Sequence, residues 1–366
     1  MLEKIIIFGV GKRTQWIIEY LNKYEEFEIV EFWDNNEKKI GESYEINEKK
    51  YLVKKPYYEN KYNIIVSSEI YYEEIKKQLI QEILINPSYI KKFEYIFSGF
   101  KRKILSKYKY SDDTDINNIC QYLNSNDLDV FCGQIETNYY RDMFDIFIDS
   151  DKGLLYSFWK GKKIYLSSKY KDINSAKNYL CSISKEQDIN SPHCYNIDDV
   201  DFNNTDIFID GGAAEGFFAL QVIDMVRHVY LVECDKEWIE ALKYTFAPYK
   251  NKVTIIEKWL DESDGKNTIS MDTLVLKNKN INKVVMKMDI EGKETDVIKG
   301  MKKLVNIDID MTCIICTYHK SGDEKIIQEF FKKNGFSTSF TNGYMFFPYG
   351  DTIEPELRKG VLMAKN

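Results

Sequence analysis

Two carboxylates two residues apart, Asp289 and Glu291, follow one apolar run of this chain, and His319 follows the next. The chain holds only three histidines in 366 residues, so the imidazole suited to proton transfer near neutral pH is scarce. Acids and an imidazole at neighbouring strand ends can hold a hydroxyl and take its proton. On this view His319 is the base, and Asp289 or Glu291 positions the acceptor or a cofactor. The plainer alternative is that His319 only hydrogen-bonds within a strand-end network. Two carboxylates beside a hydroxyl also permit Mg²⁺, but their spacing does not demand it, and no metal site is expected.

A second set lies upstream in "EQDINSPHCY". Glu186, Gln187, His193 and Tyr195 sit on or before a proline-fixed turn and can fold over a cofactor as a lid. The alternative is a capped helix end and a linker. His228 precedes a strand, far from its carboxyl end, and reads as surface. Tyrosine pairs such as Tyr57–Tyr58 can stack on sugars, although 27 tyrosines in the chain make composition the simpler explanation.

The elements that must position these groups alternate between strand and helix. From Asp201 to Asn366 the strands are "DIFID", "HVYLVE", "KVTIIEK", "KVVMKMD" and "MTCIICTYH", with helical spacing between them. The end changes to "FSTSFTNGYMFFPYGD", an Asn342–Gly343 turn between alternating strands, and a last strand in "KGVLMAKN". Residues 1–105 alternate in the same way, with strands "KIIIFGV", "FEIVEFWD" and "YNIIVSS". Residues 106–200 form a linker elaborated into an arm or lid, with helices and a hairpin turning at Lys160–Gly161. The expectation is an α/β protein of two Rossmann-like domains, 1–105 and 201–366, the second closed by a terminal antiparallel hairpin.

Each domain opens with a glycine loop. In the first, Gly9 and Gly11 allow a tight turn and Asp34 ends the next strand, but Thr14 stands where the dinucleotide fingerprint wants a third glycine. A phosphate- or nucleotide-binding role competes there with a structural or docking one. In the second, Asp210 closes the strand ahead of Gly212, Ala213 and Gly216, and Glu233 ends the following strand. S-adenosylmethionine carries no phosphate. It needs close backbone approach and a carboxylate for its ribose hydroxyls, which Glu233 is placed to supply. The competing roles are a helix cap for Asp210 and a solvated strand end for Glu233.

Composition limits the classes of function. Net charge is −7, without a long basic run, which argues against a nucleic-acid surface. Nothing approaches 18 uninterrupted apolar residues or a signal segment, so no membrane span is expected. Seven scattered cysteines suit reduced thiols in a cytoplasm. Cys313 and Cys316 have CxxC spacing, but positions i and i+3 of a strand face opposite ways and cannot share a metal.

"DGGAAEGFF", "VECD", "MDTL", "MKMDIEGKETDVIKGMKKL" and "YH" together resemble the FkbM-type S-adenosylmethionine-dependent methyltransferases. The family's Lys-x-Asp-x-Glu-Gly-x-Glu segment is matched by Lys287, Asp289, Glu291, Gly292 and Glu294. Ala214 departs from the family's Asn in the glycine loop, so contacts of that amide do not carry over. The N-terminal domain more loosely resembles nucleotide-sugar-type Rossmann domains. The resemblance implies a class I methyltransferase fold, S-adenosylmethionine as cofactor, and O-methylation of a sugar or sugar-nucleotide hydroxyl for a surface glycan. Rival readings are a non-catalytic scaffold of a glycan assembly system and, last, an NAD-dependent oxidoreductase built on the first loop. Partners are then a small-molecule or glycan substrate, nucleotide-linked or not, with homo-oligomerisation left open.

Overall fold

The computed structural model describes residues 2–24, 26–46, 49–68, 71–133, 135–348 and 354–366. Two pieces of the expected pattern lie outside the described residues: the head of the helix at 69–70 and the end of the terminal stretch at 349–351. The chain divides into two compact units, Met1–Tyr110 with Cys120–Asp129, and Ser111–Ile119 with Val130–Asn366. No described helix is long and apolar enough to cross a membrane.

The first unit contains β1 (Glu3–Phe8), α1 (Lys12–Tyr24), β2 (Phe27–Trp33), β3 (Ser43–Ile46), β4 (Lys49–Lys54), β5 (Asn63–Val66), α2 (Tyr72–Gln81), β6 (Ile90–Lys92) and α3 (Ser98–Lys107). The strands form one sheet in the order β3-β4-β2-β1-β5-β6. All pairings are parallel except β3 with β4. Ile5 to Phe8 are all buried, because a central parallel strand is covered on both faces and its apolar run need not alternate. The β3–β4 hairpin and β6 were not expected from sequence. β3 alternates exposed and half-buried residues, and such short polar edge strands resemble loops.

Helix α4 (Thr114–Leu123) is divided between the units. In the second unit, α5 (Ile135–Asn138) precedes an antiparallel sheet of β7 (Phe147–Asp149), β8 (Leu154–Trp159) and β9 (Lys162–Tyr165). The β8–β9 turn falls at Lys160–Gly161, with φ of 47° and 81°, the left-handed pair that a two-residue hairpin needs. Helix α6 (Ile173–Glu186) follows, its first turn capped by the Asp172 carboxylate accepting from Ser175 N.

Next come β10 (Thr205–Gly211), α7 (Phe217–Val222), β11 (Val226–Glu233), α8 (Lys236–Thr245), β12 (Val253–Glu257), β13 (Trp259–Leu260), β14 (Thr268–Ile269), α9 (Met271–Leu276) and β15 (Lys283–Met288). The unit ends with α10 (Glu294–Lys299), β16 (Asp310–Cys316), α11 (Asp323–Lys333), β17 (Ser337–Phe340), β18 (Met345–Phe346), β19 (Leu357–Arg358) and β20 (Val361–Lys365). Seven strands make the main sheet in the order β12-β11-β10-β15-β16-β20-β17. Only β20 runs antiparallel to its neighbours. This α/β sheet, with one reversed strand next to the edge, is a Rossmann-like doubly wound sheet of the expected kind.

The two faces of the sheet build separate cores. Ile207, Ile209 and Cys313 pack on one, Phe208 and Cys316 on the other, so the two cysteines face opposite ways. Two expectations need correction. The Asn342–Gly343 turn does not close the terminal hairpin: it leads to β18, which pairs with β19, while β17 pairs with β20. Helix α10 is also shorter than its apolar spacing suggested, leaving Met301 and Leu304 beyond it. A Cβ on Gly300 would lie 2.5 Å from Glu262 O, so the helix ends at a close crossing of backbone that admits only glycine.

Candidate active site

The glycine loop after β10 is braced from three sides. Gly212 adopts φ 67°, and a Cβ there would lie 1.9 Å from Asp289 O, so loop and β15 end approach as only glycine allows. The Glu233 carboxylate accepts from Ala214 N through Oε2 at 2.9 Å. Its Oε1 accepts from Cys234 N and Asp235 N at 2.7 and 2.8 Å. Oε1 is therefore fully used, and Oε2 keeps one acceptor position. Beneath the loop, Lys287 Nζ donates to Gly212 O at 2.7 Å and lies 3.1 Å from Asp210 Oδ1.

Burial pushes the Asp210 carboxyl up to about 6 against the pull of Lys287. The same burial opposes the charge on Lys287, but Asp210 and Asp289 outweigh it and hold the ammonium well above its ordinary value. Asp210 is thus a buried ion-pair partner of the lysine, and it supports the loop from below.

The ends of β15 and β16 bring the acid–imidazole group together, because the two strands are parallel neighbours in register. Asp289 Oδ2 accepts from the Tyr195 hydroxyl at 2.8 Å and lies 3.5 Å from His193 Nε2. His319 Nε2 stands 3.5 Å from Asp289 Oδ1 and 3.6 Å from Glu291 Oε2. On the other side of the ring, Nδ1 lies 3.0 Å from Glu294 Oε1. Burial opposes ionisation of Asp289, but His193, Lys287 and His319 hold its carboxyl far below the usual range. Burial likewise opposes a charged His319, yet Glu294, Asp289 and Glu291 raise it to about 9. At neutral pH this imidazole carries its proton, so it donates, and it accepts only above that value.

The segment expected as a lid lies against this centre. His193 Nε2 is 3.0 Å from the Tyr318 hydroxyl, and Gln187 Nε2 is 3.4 Å from His193 Nδ1. Gln187 Oε1 also accepts from Tyr195 N at 3.2 Å. Burial raises the Glu186 carboxyl, with His193 pulling it back. Among these acids Glu291 is open: its side chain is 85% exposed against 19% for Asp289, and it adopts φ 56°.

Two contributors escaped the sequence. Tyr318 joins His193 and Asp289, and only its place beside His319 hinted at this. Glu215 sits inside the glycine loop, buried, and accepts from the Tyr179 hydroxyl. Burial pushes its carboxyl up to about 7 while that hydroxyl pulls the other way. An acid in a run of small residues was the available signal. His228, read as surface, is half-buried on β11 with Nε2 2.9 Å from Thr254 Oγ1.

In the first unit, the Asp34 carboxylate accepts from Val10 N at 2.7 Å and from Asn36 N at 2.7 Å. Gly9 takes φ 95° and its N–H donates to Trp33 O. Gly11 N donates to Thr14 Oγ1 at 2.9 Å, and that hydroxyl donates to Gly9 O at 3.2 Å. Thr14 therefore ties the loop shut where the fingerprint has glycine.

Residues 1–91 match the family model described as C2185-like, N-terminal. No curated protein matches the chain. Among solved structures, it is similar to methyltransferase FkbM from Methylobacillus flagellatus KT, at 12% identity over 99% of this chain and 89% of that one, TM-score 0.47. It is also similar to precorrin-6y C5,15-methyltransferase from Geobacter metallireducens GS-15, at 10% identity over 45% of this chain and 82% of that one, TM-score 0.31. TYW2 of M. jannaschii, solved in complex with AdoMet, is similar at 15% identity over 58% of this chain and 85% of that one, TM-score 0.32.

Proposed function

We propose that the second unit binds S-adenosylmethionine against the Gly212–Gly216 loop and transfers its methyl group to a hydroxyl of a small acceptor of the sugar or sugar-nucleotide class. One observation carries the reading. The braced loop, Glu233 and the Asp289–His319 group all stand at the carboxyl ends of four adjacent parallel strands, where open α/β sheets bind ligands. The ribose hydroxyls would use the acceptor position left on Glu233 Oε2. The acceptor would lie at the mouth formed by Asp289 and Glu291.

Bound there, S-adenosylmethionine would supply an electrophilic methyl group on its sulfonium, which the acceptor oxygen would take with the carbon–sulfur electron pair left on sulfur. The hydroxyl proton leaves to the exposed Glu291 carboxylate and then to water. His319, protonated between three carboxylates, acts as a fixed counter-charge that keeps Asp289 ionised and in place. Most of the catalysis would be positioning of acceptor and methyl on one axis with water kept away.

The test is incubation with methyl-labelled S-adenosylmethionine and a panel of free and nucleotide-linked sugars. Label appearing in an acceptor, and lost in Glu291→Gln with cofactor binding retained, supports the reading. Cofactor binding without label in any hydroxyl acceptor would remove the transfer from the account.

A further inference from the structure

Behind the mouth, two side chains are held in a way that hydrogen bonding does not explain. Glu294 is fully buried, and its Oε1 accepts from Ile290 N at 2.9 Å. Among the described residues its Oε2 has no hydrogen-bond partner, and the ring nitrogens of His319 stand in ion-pair range of Glu294, Asp289 and Glu291 without a well-aligned hydrogen bond. His319 is itself only 7% exposed. Leaving such atoms dry and unpaired is costly, and buried orphans of this kind call for a ligand.

One carboxylate oxygen from Asp289, one from Glu294 and one ring nitrogen of His319 all lie within 4.8 Å of one another. Donors bound at about 2.0–2.2 Å to one ion stand roughly 3–3.5 Å apart, so a small closure of the triangle completes a coordination face. His319 reaches the two acids through opposite ring nitrogens, Nε2 to Asp289 Oδ1 at 3.5 Å and Nδ1 to Glu294 Oε1 at 3.0 Å, so a single nitrogen faces both only after a small turn of the ring.

We propose that Asp289, Glu294 and His319 form a binding site for one divalent first-row transition ion. Two carboxylates neutralise the dication, and the imidazole nitrogen selects against Mg²⁺ and Ca²⁺, which prefer oxygen. The three donors come from two neighbouring strand ends and the first turn of α10, so the ion would tie the start of that helix to both strands. Asp289 also has a second set of neighbours, His193 and Cys316. The site does not depend on methyl transfer.

The test uses Co²⁺ and the full chain, first stripped with a chelator, with binding followed by visible absorption. The expected result is one Co²⁺ per chain, with the weak bands of oxygen and nitrogen ligation and no intense sulfur-to-metal band. Glu294→Gln, which retains an acceptor for Ile290 N, should weaken binding at least about tenfold, as should His319→Gln. Lys293→Ala, on the exposed ion pair with Asp296, should leave it unchanged. The thermal midpoint of each metal-free variant shows whether it folds. Absence of bound Co²⁺ in the wild type, equal affinity in a folded Glu294→Gln, or a sulfur band lost in Cys316→Ala would overturn the proposal. Binding of S-adenosylhomocysteine to the metal-free chain, measured alongside, tests the cofactor reading separately.

Discussion

The two glycine loops of this chain are built alike and differ in what stands beside them. In each, a carboxylate from the end of the next strand accepts a loop amide: Asp34 from Val10 N, Glu233 from Ala214 N. Beside the first loop, the neighbouring strand β5 is followed by Ser67, whose hydroxyl donates to Gly9 O. Beside the second, β15 and β16 are followed by Asp289 and His319, with Lys287 beneath. A glycine loop with an acid is therefore a scaffold; the chemistry depends on the strand ends next to it.

The largest expected contrast is between two glycines. Gly212→Ala forces a methyl against Asp289 O at a positive φ, which should cost about 3 kcal/mol or more and abolish cofactor binding. Gly11→Ala meets open space and should fall within about 0.5 kcal/mol of wild type. Denaturant melts of both check this, and equal losses would break the comparison.

Lys287→Met comes next. It strands Asp210 as a buried charge without its partner and should cost about 3–5 kcal/mol, read from the same melts. Adding Asp210→Asn should recover part of that loss, because the uncompensated carboxylate is gone.

Glu215, inside the second loop, gives a pH signature of its own. Its folded carboxyl is raised from 4.5 to about 7, so the native state holds a proton that the unfolded chain releases. That contribution is complete below pH 4.5 and is lost as pH rises through 7. Glu215→Gln should match wild type near pH 4 and be more stable by about 3 kcal/mol at pH 8. Thermal midpoints across that range measure the effect, and parallel curves would contradict it.

The smallest effect belongs to Thr14→Val, which removes the hydroxyl that ties Gly11 N to Gly9 O. A loss of about 1–2 kcal/mol in a denaturant melt is expected, with cofactor binding in the second unit untouched.

Much of this arrangement is legible in sequence where residues of one strand act together. The continuous apolar runs of β1, β10 and β16 announce buried parallel strands, and Asp289 and His319 follow from their places just past two such runs. What sequence hides is the pairing of distant segments. That Tyr195 would donate to Asp289 across 94 positions, or that β17 would pair with β20 past the Asn342–Gly343 turn, depends on tertiary packing with no local signature. The charge state of His319 is hidden for the same reason, since it is set by three carboxylates gathered only on folding.

Calorimetric titration of S-adenosylhomocysteine into the wild-type chain, Glu233→Gln and Asp34→Asn tests the central claim most directly. The account predicts one site per chain in wild type and Asp34→Asn, and binding severely weakened in Glu233→Gln. No binding to the wild type, or loss on changing Asp34 with Glu233 dispensable, would contradict it.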